Sequence, residues 1–334
     1  MAVPRREKDM ILGGDVGGTK TNLAAFEREG RKLRKLHQRK YPSREAKSFE
    51  QMLRAFVAEM DSGTKFEAAC FGVAGPVIGG HVQPTNLSWP VDAAAAGAIL
   101  GTGRVGLIND MEATFAGIDS LEPEEFAVLQ SGKREPHAAQ ALVAAGTGLG
   151  ESFRVWNGDG YLVVPTEGGH SDFAPRTDEE IELLKFLKKE QTWVQVESVV
   201  SGRGFLQIHR FLGPGVDHPD FHDEQEDPAA EITRRALDGA CAICVAAVDL
   251  WLRLYGAEAG NLALKTLARG GVFVAGGIAS KILPKLTAGG FVEAFSQKAG
   301  LADLLAAVPI AVALNAEAPL LGAAASAAAL LESR

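Results

Sequence analysis

The sequence predicts an α/β protein whose two halves follow one plan, and three observations carry that expectation. Between residues 10 and 41, three short alternating apolar runs are separated by Gly17-Gly18 and by Glu27-Arg28-Glu29-Gly30, the pattern of a three-stranded meander. Strand-like and helix-like stretches then alternate as far as residue 110, an order that belongs to α/β proteins. From Ala141 onward a second glycine turn, Gly146-Thr147-Gly148-Leu149-Gly150, again sits between two strands, so an internal duplication is expected.

Each element has its own signal. Met10 to Leu12 leads into Gly13-Gly14-Asp15-Val16-Gly17-Gly18-Thr19-Lys20-Thr21 and then Asn22 to Phe26, which reads as strand, tight turn, strand. Arg31 to Lys40 is basic but alternates with Leu33 and Leu36, as a solvated strand would. Ser43 to Met60 is expected as an amphipathic helix with Phe49, Met52, Leu53, Phe56 and Val57 on one face. Next come a buried strand Ala68 to Val73, a hairpin at Gly79-Gly80 and a polar Pro84-Thr85-Asn86 loop. An alanine-rich helix from Asp92 and a strand Val105 to Ile108 close the first half, in ribonuclease-H-like order. In the second half Ala141 to Ala145, Ser152 to Trp156 and Tyr161 to Pro165 read as strands, the last two joined by Asn157-Gly158-Asp159-Gly160. Helices are expected over Thr177 to Lys189, Val196 to Phe211 and Pro228 to Leu254. A strand Gly271 to Ala275 meets Gly276-Gly277-Ile278 and a helix follows; then come a strand Val308 to Leu314 and a helix Pro319 to Leu331, expected to pack back on the first half.

Composition narrows the class. The 334 residues allow two domains, and 46% hydrophobic with 23% charged residues is ordinary for a globular chain. A net charge of −8 with no basic stripe argues against nucleic acid. The three cysteines, Cys70, Cys241 and Cys244, make no disulfide framework, which fits a reducing compartment. The charged stretch Met1 to Asp9 has no signal core, and the alanine-rich runs are too short to span a bilayer. A cytoplasmic protein with no membrane partner is therefore expected.

Several residues could carry chemistry. The glycines after Met10 to Leu12 uncover backbone N–H groups that can close around phosphate, and Asp15 makes sense there if Mg²⁺, directly or through water, lies between carboxylate and phosphate. The stretch misses the P-loop pattern, because Thr19 follows Gly18 and a strand follows the turn. A plain hairpin is the alternative. Asn109-Asp110 suits a helix cap, or else a base that accepts a hydroxyl proton with the asparagine orienting the same substrate. Thr166-Glu167-Gly168-Gly169-His170-Ser171-Asp172 lets the backbone approach a ligand and suits vicinal hydroxyls; a metal set or a satisfied turn network are the other readings. Glu197 at a helix start needs no function. His218 and His222 lie in an acidic loop within 213–229 that reads as solvated. Cys241 and Cys244 read as core packing, Cys70 being the one remaining cysteine.

Taken together and in order, the motifs are specific. They are Gly14-Asp15-Val16-Gly17-Gly18-Thr19, Ile108-Asn109-Asp110, Ala145 to Gly150, Glu167 to Pro175, Val199-Val200-Ser201-Gly202, Gly260 to Leu264, and Ala275-Gly276-Gly277-Ile278. With them the chain resembles the bacterial glucokinases of the group distinct from the ROK family, in the sugar kinase and actin superfamily. The resemblance implies two ribonuclease-H-like α/β domains of the sugar kinase type with a cleft between them, 1–110 plus 317–334 and 111–316. It implies that Gly14 to Thr19 and Gly146-Thr147-Gly148 hold the ATP phosphates, Asp15 lies by Mg²⁺ and Gly276-Gly277 lie by the adenosine. Asp110 would be the base on the 6-hydroxyl of glucose, while Asn109, Glu167, His170, Glu197 and Asn86 would hold the other hydroxyls. The two domains would close over the sugar, and a homodimer is the family expectation. Lys20-Thr21 departs from the family pattern. The cysteine-rich zinc motif of ROK kinases is absent, so no structural metal is expected. Kinases for another hexose or an N-acetylated amino sugar, and a non-catalytic sugar sensor, are the competing functions.

Overall fold

The computed structural model describes residues 10–30, 32–61, 63–84, 87–215 and 227–332. In the first unit β1 (Met10–Val16), β2 (Lys20–Glu29) and β3 (Lys32–Pro42) form the expected meander. After α1 (Phe49–Ala58) come β4 (Phe66–Val73), the two-residue ladder of β5 (His81–Val82) and β6 (Val91–Asp92), α2 (Ala93–Leu100), β7 (Val105–Asn109) and α3 (Asp110–Ile118). The sheet order is β3-β2-β1-β4-β7, with β1, β4 and β7 parallel.

The period of two along β1 decides what covers each face. Met10 and Leu12 join Phe49, Leu53, Phe56 and Phe71 on one side. Ile11 joins Phe26, Cys70 and three residues from the last helix, Leu320, Ala324 and Ala327, on the other. That helix is Ala318–Ala329. Ser48 caps α1 through the Gln51 amide, so the helix starts six residues after Ser43 and a short 3₁₀ turn, Ser43–Glu45, fills the gap.

In the second unit β8 (Phe126–Gln130), unforeseen in the sequence, precedes β9 (Gln140–Ala145), β10 (Leu149–Trp156) and β11 (Tyr161–Thr166). Then follow α4 (Asp178–Leu187), α5 (Val196–Val199), α6 (Gly202–Leu212), α7 (Pro228–Leu237), α8 (Ala242–Thr266) and β12 (Val272–Ala275). The short helices α9 (Leu283–Leu286), α10 (Gly290–Ser296) and α11 (Ala302–Ala306) lead to β13 (Ile310–Ala313), after which the terminal helix, α12, rejoins the first unit. The order β11-β10-β9-β12-β13-β8 repeats the first sheet strand for strand, with the same parallel and antiparallel pairings and β8 added at the edge. Internal duplication is thus written in the topology.

Two expected helices are broken in two. Val200 leaves the helix at φ −109°, ψ 70°, and Ser201 caps α6 by accepting from the Gly204 amide. Gly239 at φ +65° turns the chain between α7 and α8, where Cys241 takes the cap position. Apolar periodicity runs on through both breaks, which is why the sequence reads as continuous. α8 is the spine of this unit: Tyr255 donates to the Val143 carbonyl at 3.1 Å and Trp251 to the Ser201 carbonyl at 3.1 Å, and both rings are fully buried.

The division between units falls after Glu122 rather than after Asp110, the second unit being Pro123–Ala316. The cause is α3, which lies against α12 backbone to backbone. A methyl group at Gly117 would strike the Ala318 carbonyl, and one at Gly322 the Ala113 carbonyl. Among the described residues no single helix is long and apolar enough to cross a membrane.

Candidate active site

In the first unit the candidate residues gather at the carboxyl ends of three adjacent parallel strands, where ligands collect in open α/β sheets. Asp15 lies near the end of β1, paired in register with Asn22 and Gly72, and Asn109 ends β7 opposite Val73. The turn from Val16 to Lys20 closes with the Gly17 amide donating to the Lys20 carbonyl at 3.0 Å. Ser43 clamps this turn from outside. Its hydroxyl donates to the Gly17 carbonyl at 2.7 Å and its amide to the Thr19 carbonyl at 3.0 Å, beside the Thr21 hydroxyl. Gly14 is required by close approach, since a Cβ there would run into Phe71 and Leu23. Thr19 and Lys20 are exposed.

Asn109 is a helix cap. Its Oδ1 accepts from the Met111 amide at 2.9 Å, its Nδ2 donates to the Gly75 carbonyl at 3.2 Å, and its own amide donates to Glu112 at 2.9 Å. The network fixes the next residue, Asp110, whose half-buried carboxylate also accepts from the Met111 amide at 3.0 Å. Burial, and then the negative charge of Asp110, pushes the pKa of Asp15 up to about 7. A divalent cation fits this pair, because a shared positive charge offsets the repulsion of two carboxylates crowded at one sheet end.

In the second unit Gly146-Thr147-Gly148 follows β9 directly, and the Gly146 amide donates to the Gly148 carbonyl at 2.8 Å. Glu197 holds this turn: its Oε2 accepts from the Leu149 amide at 2.9 Å and fills the space a Cβ on Gly148 would need. The Gly202 amide, opening α6, donates to the Gly146 carbonyl at 2.8 Å. Gly276 follows the neighbouring parallel strand β12 at φ +90°, with a side chain excluded by the Ala145 carbonyl, so both glycine pairs sit at the same end of the sheet. Gly277 faces open space.

Glu167 and His170 flank one 3₁₀ turn, Gly168–His170, and both are exposed. His170 Nε2 stands 3.8 Å from Glu167, while Nδ1 lies 3.0 Å from Gln195 Oε1. That oxygen can only accept, so Nδ1 donates and Nε2 is the nitrogen on the Glu167 side. The turn is stitched to the approach of α5: the Val196 amide donates to the Ser171 carbonyl and the Phe173 amide to the Val194 carbonyl, each at 2.9 Å. Glu167, His170 and Glu197 therefore form one neighbourhood. Asn86, His218 and His222 lie outside the described residues.

Sequence reasoning missed Ser43 and Gln195, which position site residues without themselves belonging to a motif. It also missed His209 beside Cys241 and Cys244, because one helix supplies the histidine and another the thiols.

Comparison with known proteins finds similarity along nearly the whole chain. The family described as glucokinase matches residues 12–330. A glucokinase of Nostoc sp. is 39% identical, over 96% of this chain and 99% of that one. A glucokinase of Synechocystis sp. is also 39% identical, over 95% and 98%. Among solved structures, a glucokinase from an Antarctic psychrotroph superposes with a TM-score of 0.80 at 30% identity, covering 96% of this chain and 99% of that one.

Proposed function

Since this chain belongs to the glucokinase family, we propose that it transfers the γ-phosphoryl group of ATP to the 6-hydroxyl of glucose with Asp110 as the base. The observation that carries the assignment of roles is the gathering of Asp15, Asn109 and Asp110 at the carboxyl ends of β1 and β7, the two parallel strands that flank β4, beside a clamped glycine turn.

Phosphoryl transfer asks a protein for position and charge rather than covalent chemistry. Asp110 accepts the hydroxyl proton as the oxygen attacks, held in place by the Asn109 cap network. Asn109 orients the same sugar. Glu167 and Glu197 accept hydrogen bonds from sugar hydroxyls, and His170 Nε2 accepts another. Backbone N–H groups of Gly14 to Thr19 and Gly146 to Gly148 receive phosphate oxygens, and Gly276-Gly277 leave room for the nucleoside. Asp15 would hold Mg²⁺, which when bound neutralises charge on the transferring phosphates. Asn86 belongs to the sugar set in this reading. The protein works in the cytoplasm as a homodimer, which analytical ultracentrifugation tests.

The test is ADP release from ATP with Mg²⁺ across glucose, mannose, fructose, galactose and N-acetylglucosamine. Turnover on glucose, lost in Asp110→Asn, is expected. Turnover on another sugar alone replaces the substrate, and wild-type turnover in the variant removes Asp110 as the base.

A further inference from the structure

We propose that His209, Cys241 and Cys244 form a binding site for a thiophilic divalent cation, with Zn²⁺ the ion the ligand set suits best. One ligand atom from each of the three residues lies within 4.8 Å of the other two. The set is assembled across elements: His209 comes from α6, Cys241 caps α8 and Cys244 lies in its first turn. His209 and Cys244 are 1% and 0% exposed, and Cys241 is half-buried. Two sulfurs and an imidazole at this spacing are the donor types zinc takes in tetrahedral sites. Contraction to bonds of about 2.0–2.3 Å needs only small side-chain movements. The half-buried side of Cys241 leaves the fourth position to a water.

Local geometry favours ligation over plain packing. Cys241 Sγ already accepts from the Cys244 amide at 3.4 Å, an arrangement that suits a thiolate at a helix start. Binding releases protons from the two thiols to solvent as the sulfurs bond the cation, and nothing is oxidised. The ion would tie α6 to the start of α8. α6 opens at Gly202, whose amide holds the Gly146 turn, so the clamp stands behind an element of the proposed phosphate site without touching it.

The probe is Co²⁺, added at one equivalent to the full chain after reduction and removal of metal. A thiolate-to-cobalt charge-transfer band with intense visible bands is expected, abolished by one equivalent of Zn²⁺. Cys241→Ser should lose most of the charge-transfer intensity, whereas Cys70→Ser, in the other unit, should keep it. Both variants should keep glucose turnover. Absence of the band in the wild type, or full intensity in Cys241→Ser, overturns the site. Alkylation read by mass spectrometry needs no variant: Zn²⁺ should protect Cys241 and Cys244, and equal labelling with and without Zn²⁺ overturns the proposal.

Discussion

Replacing Glu151 with glutamine should stabilise the protein, and by more as the pH rises. Glu151 lies on β10, 1% exposed, with one oxygen against Gly168 and the other, Oε1, accepting no hydrogen bond. Burial, reinforced by the Glu258 carboxylate and only partly opposed by Lys265, pushes its pKa from 4.5 up to about 8. The folded state therefore binds one proton more than the unfolded chain between pH 4.5 and 8, and stability falls as pH rises through that window. At pH 7 the gap spans two and a half units at about 1.4 kcal/mol each, or roughly 3.5 kcal/mol. Glutamine keeps the shape of the protonated acid and needs no proton. Urea unfolding of both proteins should show a difference of about 1.4 kcal/mol at pH 5.5, growing to about 3.5 kcal/mol at pH 7. A difference that stays constant with pH, or a variant less stable at pH 8, would refute the argument.

Other substitutions test the site itself. Asp110→Asn should abolish phosphoryl transfer while glucose binding, followed by calorimetry, stays within a few fold. Gly148→Ala drives a methyl group into the Glu197 carboxylate, so KM for both ATP and glucose should rise; a change in neither would show that Glu197 does not couple turn and sugar. Ser43→Ala removes the hydroxyl that clamps the Gly17 carbonyl, which predicts weaker ATP binding at a cost of about 1 kcal/mol with glucose affinity unchanged in binary titrations. Because Asp15 must give up a proton near pH 7 before it can hold a cation, apparent Mg²⁺ affinity should increase from pH 6 to pH 8. Asp15→Asn should flatten that dependence.

Much of this was legible in the chain, because period and turn chemistry are local. Alternating apolar residues and paired glycines announce β1, β2 and β3, although β2 runs three residues past its expected end at Phe26, and Asp92 starts α2 as its cap. What stayed hidden depends on contacts far apart in sequence. Nothing near Ser43 says that its hydroxyl reaches Gly17, and nothing near Gln195 says that it turns His170. β8 joins the sheet only because β13, at the other end of the unit, offers it an edge. The helix over 196–211 fails at Val200-Ser201 for a tertiary reason: the Ser201 carbonyl is held by Trp251 fifty residues on. At Asn109 the cap reading is the one the fold shows, since its side chain accepts from the Met111 amide and donates to the Gly75 carbonyl.

The return of α12 to the first unit has a consequence for synthesis. Ile11, Phe26 and Cys70 have no apolar cover on their side of the sheet until Leu320, Ala324 and Ala327 arrive. A ribosome adding about 5–20 residues per second must complete the entire second unit in the meantime, leaving these residues, beyond the part of the face that α3 covers, exposed for roughly ten seconds or longer. The later-made unit can thus finish folding first, with part of the opening strands exposed until the final helix emerges.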